Sequence, residues 1–112
     1  MSKIGFRRAS VYKHSLSLNI LIMREFEVGL LVRDADNLRR SCYKLVSNIA
    51  SALSSHYPND TLKKLNRAFN HLKKIEGYLD LANPHSGLNE EIHNIALQIK
   101  KLLKVHMKNV WN

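Results

Sequence analysis

A chain of 112 residues with 45% hydrophobic and 24% charged residues is expected to fold as one globular domain, which excludes wholesale disorder. Its 18 Lys and Arg residues against 9 Asp and Glu residues give a net charge of +9, which favours nucleic acid or an acidic protein as partner, although a basic surface can also be merely solvated. No stretch reaches the roughly 18 apolar residues of a membrane span, and the single Cys42 excludes an intrachain disulfide, so we expect a cytoplasmic protein with Cys42 buried.

The first ten residues show no helical periodicity and carry Lys3, Arg7 and Arg8 near Gly5. We predict a flexible basic arm over residues 1–10, which could follow phosphates, with an ordinary frayed terminus as the alternative. The lack of acidic residues before Glu25 is also typical of organelle transit peptides. Residues 11–112 are predicted to form the folded domain.

The segment 11–32 is predicted to form the first helix, although its apolar residues go round the whole helix circumference. Leu16, Leu18, Ile20 and Ile22 alternate as in a strand, but an isolated strand among helices would have no pairing partner. A helix that is apolar on all sides is buried on more than one side. We therefore expect this helix to lie centrally or at a subunit interface.

A polar cluster, residues 33–37, is predicted to separate the first helix from a second that begins at Leu38. Asp34 or Asp36 is expected to cap this second helix, because a carboxylate accepts hydrogen bonds from unpaired backbone N–H groups. Its apolar stripe spans about 120° at helical period. The stripe consists of Leu38, Cys42, Leu45, Val46, Ile49, Ala52, Leu53 and His56.

A third helix follows the turn at Pro58, with Asn59 or Asp60 as the expected cap. Its stripe consists of Leu62, Leu65, Ala68, Phe69, Leu72, Ile75, Leu79 and Ala82. Gly77 costs about 1 kcal/mol relative to Ala in a helix, and close packing is the expected reason for it. Eight basic residues and one acid lie between Asn37 and Ile75, which makes this helical hairpin the electropositive centre.

The last helix is predicted to start near Ser86, after the turn 83–87, with Glu90 and Glu91 at the positive end of the helix dipole. Its stripe consists of Leu88, Ile92, Ile95, Ala96, Ile99, Leu102, Leu103 and Val110. The surplus apolar residues off this stripe predict a further contact and hence oligomerisation. They are Leu97, Val105 and Trp111.

Catalytic and metal-binding motifs are absent from the sequence. The six histidines include no HExxH motif and no pair four residues apart, and no CxxC, GxSxG or phosphate-cradling glycine motif occurs. The adjacent Glu90 and Glu91 diverge on a helix, which does not suit general acid–base work. We expect a protein that is not an enzyme and that uses neither a metal nor another cofactor.

Nucleic acid is the partner that the distribution of charge favours. The basic faces of three helices predict binding to the backbone of RNA or DNA, and no helix-turn-helix pattern indicates base readout. Exposed aromatic residues would add stacking. The candidate binding residues are Arg39, Arg40, Lys63, Lys64, Arg67, Lys74, Lys101, Lys104 and Lys108.

The order of several short segments resembles a known superfamily of four-helix bundles. These segments are residues 38–42 (LRRSC), 48–50 (NIA) and 79–82 (LDLA), followed by a final amphipathic helix. The superfamily contains the proteins encoded in rRNA intervening sequences and the accessory variability determinants of diversity-generating retroelements. Its FPxxE-like linker is replaced here by residues 33–37, and the glycine-rich end of the retroelement branch is missing apart from Trp111.

The resemblance implies an up-and-down antiparallel four-helix bundle that assembles into a ring, typically a pentamer. It also implies a basic accessory protein that binds nucleic acid and associates with a reverse transcriptase. Only Arg39 and Arg40 are carried over from the motif; the other candidate residues come from the helical faces. The alternative function is a protein–protein adaptor or antitoxin-like module whose surplus apolar residues bind an acidic or helical partner.

Overall fold

The structure is a computed structural model that describes residues 9–25, 32–82 and 87–110. These residues form four helices and no strand, which confirms the predicted all-α class. The helices are α1 (Ser10–Glu25), α2 (Val32–Ser54), α3 (Pro58–Ala82) and α4 (Gly87–Asn109). Each helix packs against its neighbours in the chain, and α4 closes the bundle against α1. The result is an up-and-down four-helix bundle, in which consecutive helices run antiparallel.

The core consists of the apolar stripes predicted for the helices. Cys42, Leu45 and Ile49 of α2 are fully buried together with Leu65 and Leu72 of α3. From α4 the core receives Ile92, Ala96, Ile99 and Leu103. Burial raises the pKa of the Cys42 thiol to about 12, because a thiolate loses its hydration in an apolar interior. This cysteine is therefore a small core residue, as predicted.

The first helix is a helix through its alternating segment, as predicted, but it buries one side rather than several. Val11, Leu18 and Ile22 are buried, at the spacing of one helical face, whereas Leu16 and Ile20 are exposed. Burial on more than one side is thus not found within a single chain. The predicted end of this helix, residues 26–31, lies outside the described residues.

The second helix begins at Val32, six residues earlier than predicted. The cluster 33–37 was expected to be a linker, but it forms the first turns of α2, so neither Asp34 nor Asp36 precedes the helix as a cap. Two contacts explain why these residues are helical. Ala35 is only 7% exposed, and the Asp36 carboxylate forms an i,i+3 ion pair with Arg39, with Oδ1 2.8 Å from Nη1.

The connection between α2 and α3 is short and held by side chains. Pro58 is the first residue of α3, a position that suits its fixed φ and missing N–H, so Asn59 and Asp60 lie inside the helix rather than at its cap. The Ser55 hydroxyl donates to Asp60 Oδ2 at 2.8 Å, and Lys64 Nζ lies 2.9 Å from the same oxygen. Both contacts lower the pKa of the Asp60 carboxyl, and the hydrogen bond from Lys64 has the larger effect. His56, predicted on the α2 stripe, is exposed beyond the helix end.

The two ends of the chain and the last turn are only partly described. Residues 1–8 of the predicted basic arm lie outside the described residues, and α1 begins at Ser10. The predicted start of the last helix at Ser86, and Trp111, lie outside them as well. Of the four helices in the described ranges, none combines the length and apolarity needed to cross a membrane.

Candidate nucleic-acid interface

The α2–α3 side of the bundle contains a cleft of about 510 Å³. Its α2 wall consists of Asn37, Arg40, Ser41 and Lys44, and its α3 wall of His71, Lys74, Gly77, Tyr78 and Leu81. The α2 residues recur every three or four positions, and those of α3 at a similar spacing, so each set occupies one face of its helix. Polar and small residues flank the core stripes where the two helices meet, and these residues leave the space of the cleft.

Three cations in this cleft carry its charge. Arg40, Lys44 and Lys74 are exposed, and none of them forms an ion pair with another described residue. No acidic residue is among the described residues that line the cleft. Like charges that lack counter-charges raise the local positive potential and favour a bound anion. The arrangement can therefore hold a phosphate group.

His71 lies between these cations and is only partly exposed. Desolvation lowers the pKa of its imidazole below the ordinary value of 6.5, and Lys74 and Lys44 lower it further. Its Nδ1 atom is buried and has no hydrogen-bond partner. A neutral ring follows, because a second ring proton would place a positive charge beside two ammonium groups.

Gly77 was expected to permit close helix packing, and the structure shows that this expectation was wrong. A Cβ atom built at Gly77 would meet nothing within 4 Å, and no glycine in the described ranges has a positive φ. Neither packing nor backbone geometry therefore explains a glycine inside α3. Its lack of a side chain does have one consequence, which is to widen the cleft that it lines.

Two further basic residues of α3 extend the charged surface beyond the cleft. Lys63 and Arg67 are exposed, and at 100° per residue each lies within about 20° of Lys74 on the same face of α3. Asp60 shares this face, and its carboxylate pairs with Lys64. We call the set Arg40, Lys44, Lys63, Arg67 and Lys74 the basic band. Two other candidates differ from the band in being paired with acids: Arg39 with Asp36, and Lys64 with Asp60.

The three candidate lysines of α4 lie on a different surface. Lys101 lines a shallow pocket with Ser10 and His14 of α1, and Lys104 lies 5.9 Å from the centre of the Phe69 ring of α3. Lys108 is exposed near the end of the helix. In the described residues α4 lies diagonally across the bundle from α2, which forms one wall of the cleft. The nine predicted residues thus fall on two surfaces rather than one.

Sequence reasoning missed part of the cleft. Lys44, His71 and Gly77 were not among the candidate residues. Lys44 could have been found, because it follows Arg40 by four positions and so shares its helical face. No sequence signal places His71 or Gly77 opposite these residues, since that placement depends on how α2 and α3 are aligned.

Two acidic residues of α3, Glu76 and Asp80, face α4 instead of the cleft. Glu76 pairs with Lys100, and His93 lies 3.4 Å from an oxygen of Asp80 and 3.9 Å from one of Glu76. Both partners, Lys100 and His93, belong to α4. In the second half of α3 charge is therefore sorted, with the acids Glu76 and Asp80 on the α4 side and Lys74 toward α2.

Exposed apolar residues occur on one face of α1 and, separately, on α4. Leu16, Ile20 and Met23 of α1 are 38%, 58% and 41% exposed, and they recur at the spacing of one helical face. Leu97 of the adjacent α4 is 49% exposed. Exposed apolar residues on neighbouring helices are a feature of contact surfaces between proteins.

The described residues offer little for catalysis or metal binding. No group of three or more His, Cys, Asp or Glu side chains in the described ranges could hold a metal ion. The Cys42 thiol, buried and with a pKa of about 12, is not available as a nucleophile.

Comparison with known proteins gives no family assignment. No protein-family model matches the chain, and no curated protein or solved structure is significantly similar to it. The four-helix bundle is therefore established by the structure alone. The resemblance of residues 38–110 to the retroelement superfamily stays a prediction.

Proposed function

We propose that this chain is a non-enzymatic, cytoplasmic nucleic-acid-binding protein whose basic band holds the phosphate backbone of RNA or DNA. The observation that supports this most is the α2–α3 cleft, where Arg40, Lys44 and Lys74 converge without an acidic partner among the described residues. Phosphates that meet such cations release condensed counterions, and this entropy gain drives binding. The net charge of +9 acts in the same direction at long range.

The test is charge reversal on α3. Replacing Lys63, Arg67 and Lys74 together by Glu should weaken binding of a labelled oligonucleotide by about 100-fold or more in fluorescence anisotropy at low salt, because three phosphate contacts become repulsions. All three side chains are exposed, so helicity measured by circular dichroism should not change.

A matched variant changes the same number of charges elsewhere. Replacing Lys101, Lys104 and Lys108 by Glu alters net charge equally on the α4 surface. This control should bind nucleic acid clearly better than the α3 variant. Equal losses in both variants would show that net charge alone, rather than the basic band, determines binding.

We further propose that the protein is a homo-oligomer that assists the reverse transcriptase of a diversity-generating retroelement. Two features support this proposal: the resemblance of residues 38–110, which implies a pentameric ring, and the exposed apolar residues of α1 and α4. Multi-angle light scattering measures the subunit number directly, and a reverse-transcriptase gene next to a template repeat would support the retroelement role. A monomer at all concentrations would contradict the oligomer.

A second candidate function is an adaptor or antitoxin-like module. The exposed apolar face of α1 formed by Leu16, Ile20 and Met23 favours it, because an amphipathic partner helix could pack on that face. Light scattering with and without nucleic acid separates the two candidates. The adaptor predicts that nucleic acid changes neither the mass nor the mobility of the protein.

A further inference from the structure

The α2–α3 cleft changes character along its length. Because α2 and α3 are antiparallel, the residues that come later in one helix lie beside those that come earlier in the other. Lys44 is therefore close to His71 and Lys74 at one end, while Asn37 is close to Tyr78 and Leu81 at the other. Asn37 and Lys44 are seven residues apart, which corresponds to about 10 Å along the helix.

Packing against the core holds the aromatic residue at one end of the cleft. Tyr78 is partly buried and packs against the core, so its ring has a fixed position. Leu81, in contrast, is 76% exposed, which leaves an apolar side chain at the mouth of the cleft. A planar base can stack or pack on such residues, and stacking of this kind does not depend on base identity. Asn37 and Ser41 add side-chain donors and acceptors on the opposite wall.

The space in the cleft exceeds what a phosphate group requires. Ligand pockets commonly measure about 300–1,000 Å³, and the cleft falls within this range. Gly77 lies between the cationic and the aromatic ends in sequence and adds no side chain to this space. A larger residue there would occupy part of the cleft. The space is therefore suited to a ligand that has both an anionic and a planar apolar part.

We propose that this cleft binds one nucleotide of a single strand. The phosphate lies among Arg40, Lys44 and Lys74, and the base packs against Tyr78 and Leu81. This inference rests on the proposed function, and it adds that single strands are preferred to duplexes. In a duplex the bases are stacked and paired, so only the phosphates could reach the cleft.

A substitution that fills the cleft tests this proposal. Gly77→Met places a flexible side chain in the open space, while a helix tolerates Met better than Gly. The matched control is Asn94→Met, at an exposed position of α4 that belongs neither to the basic band nor to the described residues lining the cleft. Anisotropy titrations would compare a labelled 12-nucleotide single strand with the duplex of the same sequence.

The expected result is a loss of about tenfold or more in single-strand affinity for Gly77→Met, with duplex affinity nearly unchanged, and no loss for Asn94→Met. Tyr78→Leu, which retains an apolar side chain, should also weaken the single strand selectively by about fivefold or more. Circular dichroism melting of each variant separates loss of binding from loss of fold.

Two other results would separate failure of the nucleotide-binding cleft from failure of the proposed function. If the wild-type protein binds single strand and duplex equally and Gly77→Met changes neither affinity, the nucleotide cleft is wrong while the proposed backbone binding stands. If the wild-type protein binds neither, the proposed function itself is wrong.

Discussion

His71 shows how one side chain can report on the occupation of the cleft. The groups that line the cleft around it are Arg40 and Lys44 of α2 and Lys74 and Tyr78 of its own helix, so the described charged neighbours are all positive. Desolvation and these lysines keep its pKa below 6.5. A bound phosphate would supply a negative charge beside the ring and raise this pKa.

The first prediction concerns pH and follows from that shift. Because the bound state holds the His71 proton more tightly, nucleic-acid affinity should increase as pH falls through the His71 pKa of the complex, and should level off below the pKa of the unbound protein. His71→Gln should remove this part of the pH dependence, as measured by anisotropy between about pH 5 and pH 8.

A second histidine provides the control. His106 of α4 is half-buried, and desolvation lowers its pKa as well, but it is not among the residues that line the cleft. His106→Gln should therefore leave the pH dependence of binding unchanged. If both variants flatten the pH profile equally, His71 does not sense the bound phosphate.

Among the helices, α1 is the one whose alternating apolar residues are compatible with either a strand or a helix. Leu16 and Leu18 would share a face in a strand, but in the helix Leu18 is fully buried and Leu16 is 38% exposed. Asn19 fixes this orientation, since its Nδ2 donates to the backbone carbonyl of Cys42 in α2 at 3.0 Å. Packing against α2 and α4 therefore decides which apolar residues of α1 enter the core.

This pair of leucines gives a second prediction. Leu18→Ala should lower the free energy of unfolding by about 2–5 kcal/mol, because it leaves a cavity in the core. Leu16→Ala should lower it by about 1 kcal/mol at most, since the side chain already meets solvent. Urea denaturation measures both free energies. Equal losses would contradict the structure, in which α1 turns Leu18 and not Leu16 toward the core.

The helix boundaries show what the sequence could predict. The core stripes of α2, α3 and α4 were predicted largely correctly, because buried residues repeat at the helical period, but His56 was wrongly assigned to the α2 stripe. The start of α2 was not predicted correctly, because an Asp residue is favourable both as a cap and within the first turn of a helix. Burial of Ala35 and the ion pair of Asp36 with Arg39, both products of folding, favour the helix there.

At the scale of the whole molecule, the arrangement of charge is more informative than its total. The net charge of +9 is evident from composition, but it does not separate the basic band from the lysines of α4. The structure separates them, because Lys74 and Arg40 line one cleft while Lys101 lies near α1. Such grouping depends on helix alignment and so could not be predicted from spacing alone.

The exposed apolar residues of α1 and α4 belong to the same scale. Leu97, Val105 and Trp111 were predicted to be in surplus on the last helix, and Leu97 and Val105 are indeed exposed in the single chain, while Trp111 lies outside the described residues. The exposed apolar residues of α1 and α4 lie on helices other than the two that form the cleft. An oligomer formed through α1 and α4 would therefore leave the basic band of every subunit accessible to nucleic acid.

The salt dependence of binding tests the central claim most directly. The logarithm of the affinity for a single strand should fall linearly with the logarithm of salt concentration, with a slope of about −0.7 for each phosphate contact. Neutralising Lys63, Arg67 and Lys74 together to Gln should reduce the magnitude of this slope by about 2, and the same change at Lys101, Lys104 and Lys108 should leave it nearly unchanged. Equal slopes for the wild-type protein and the α3 variant would contradict phosphate binding by the basic band.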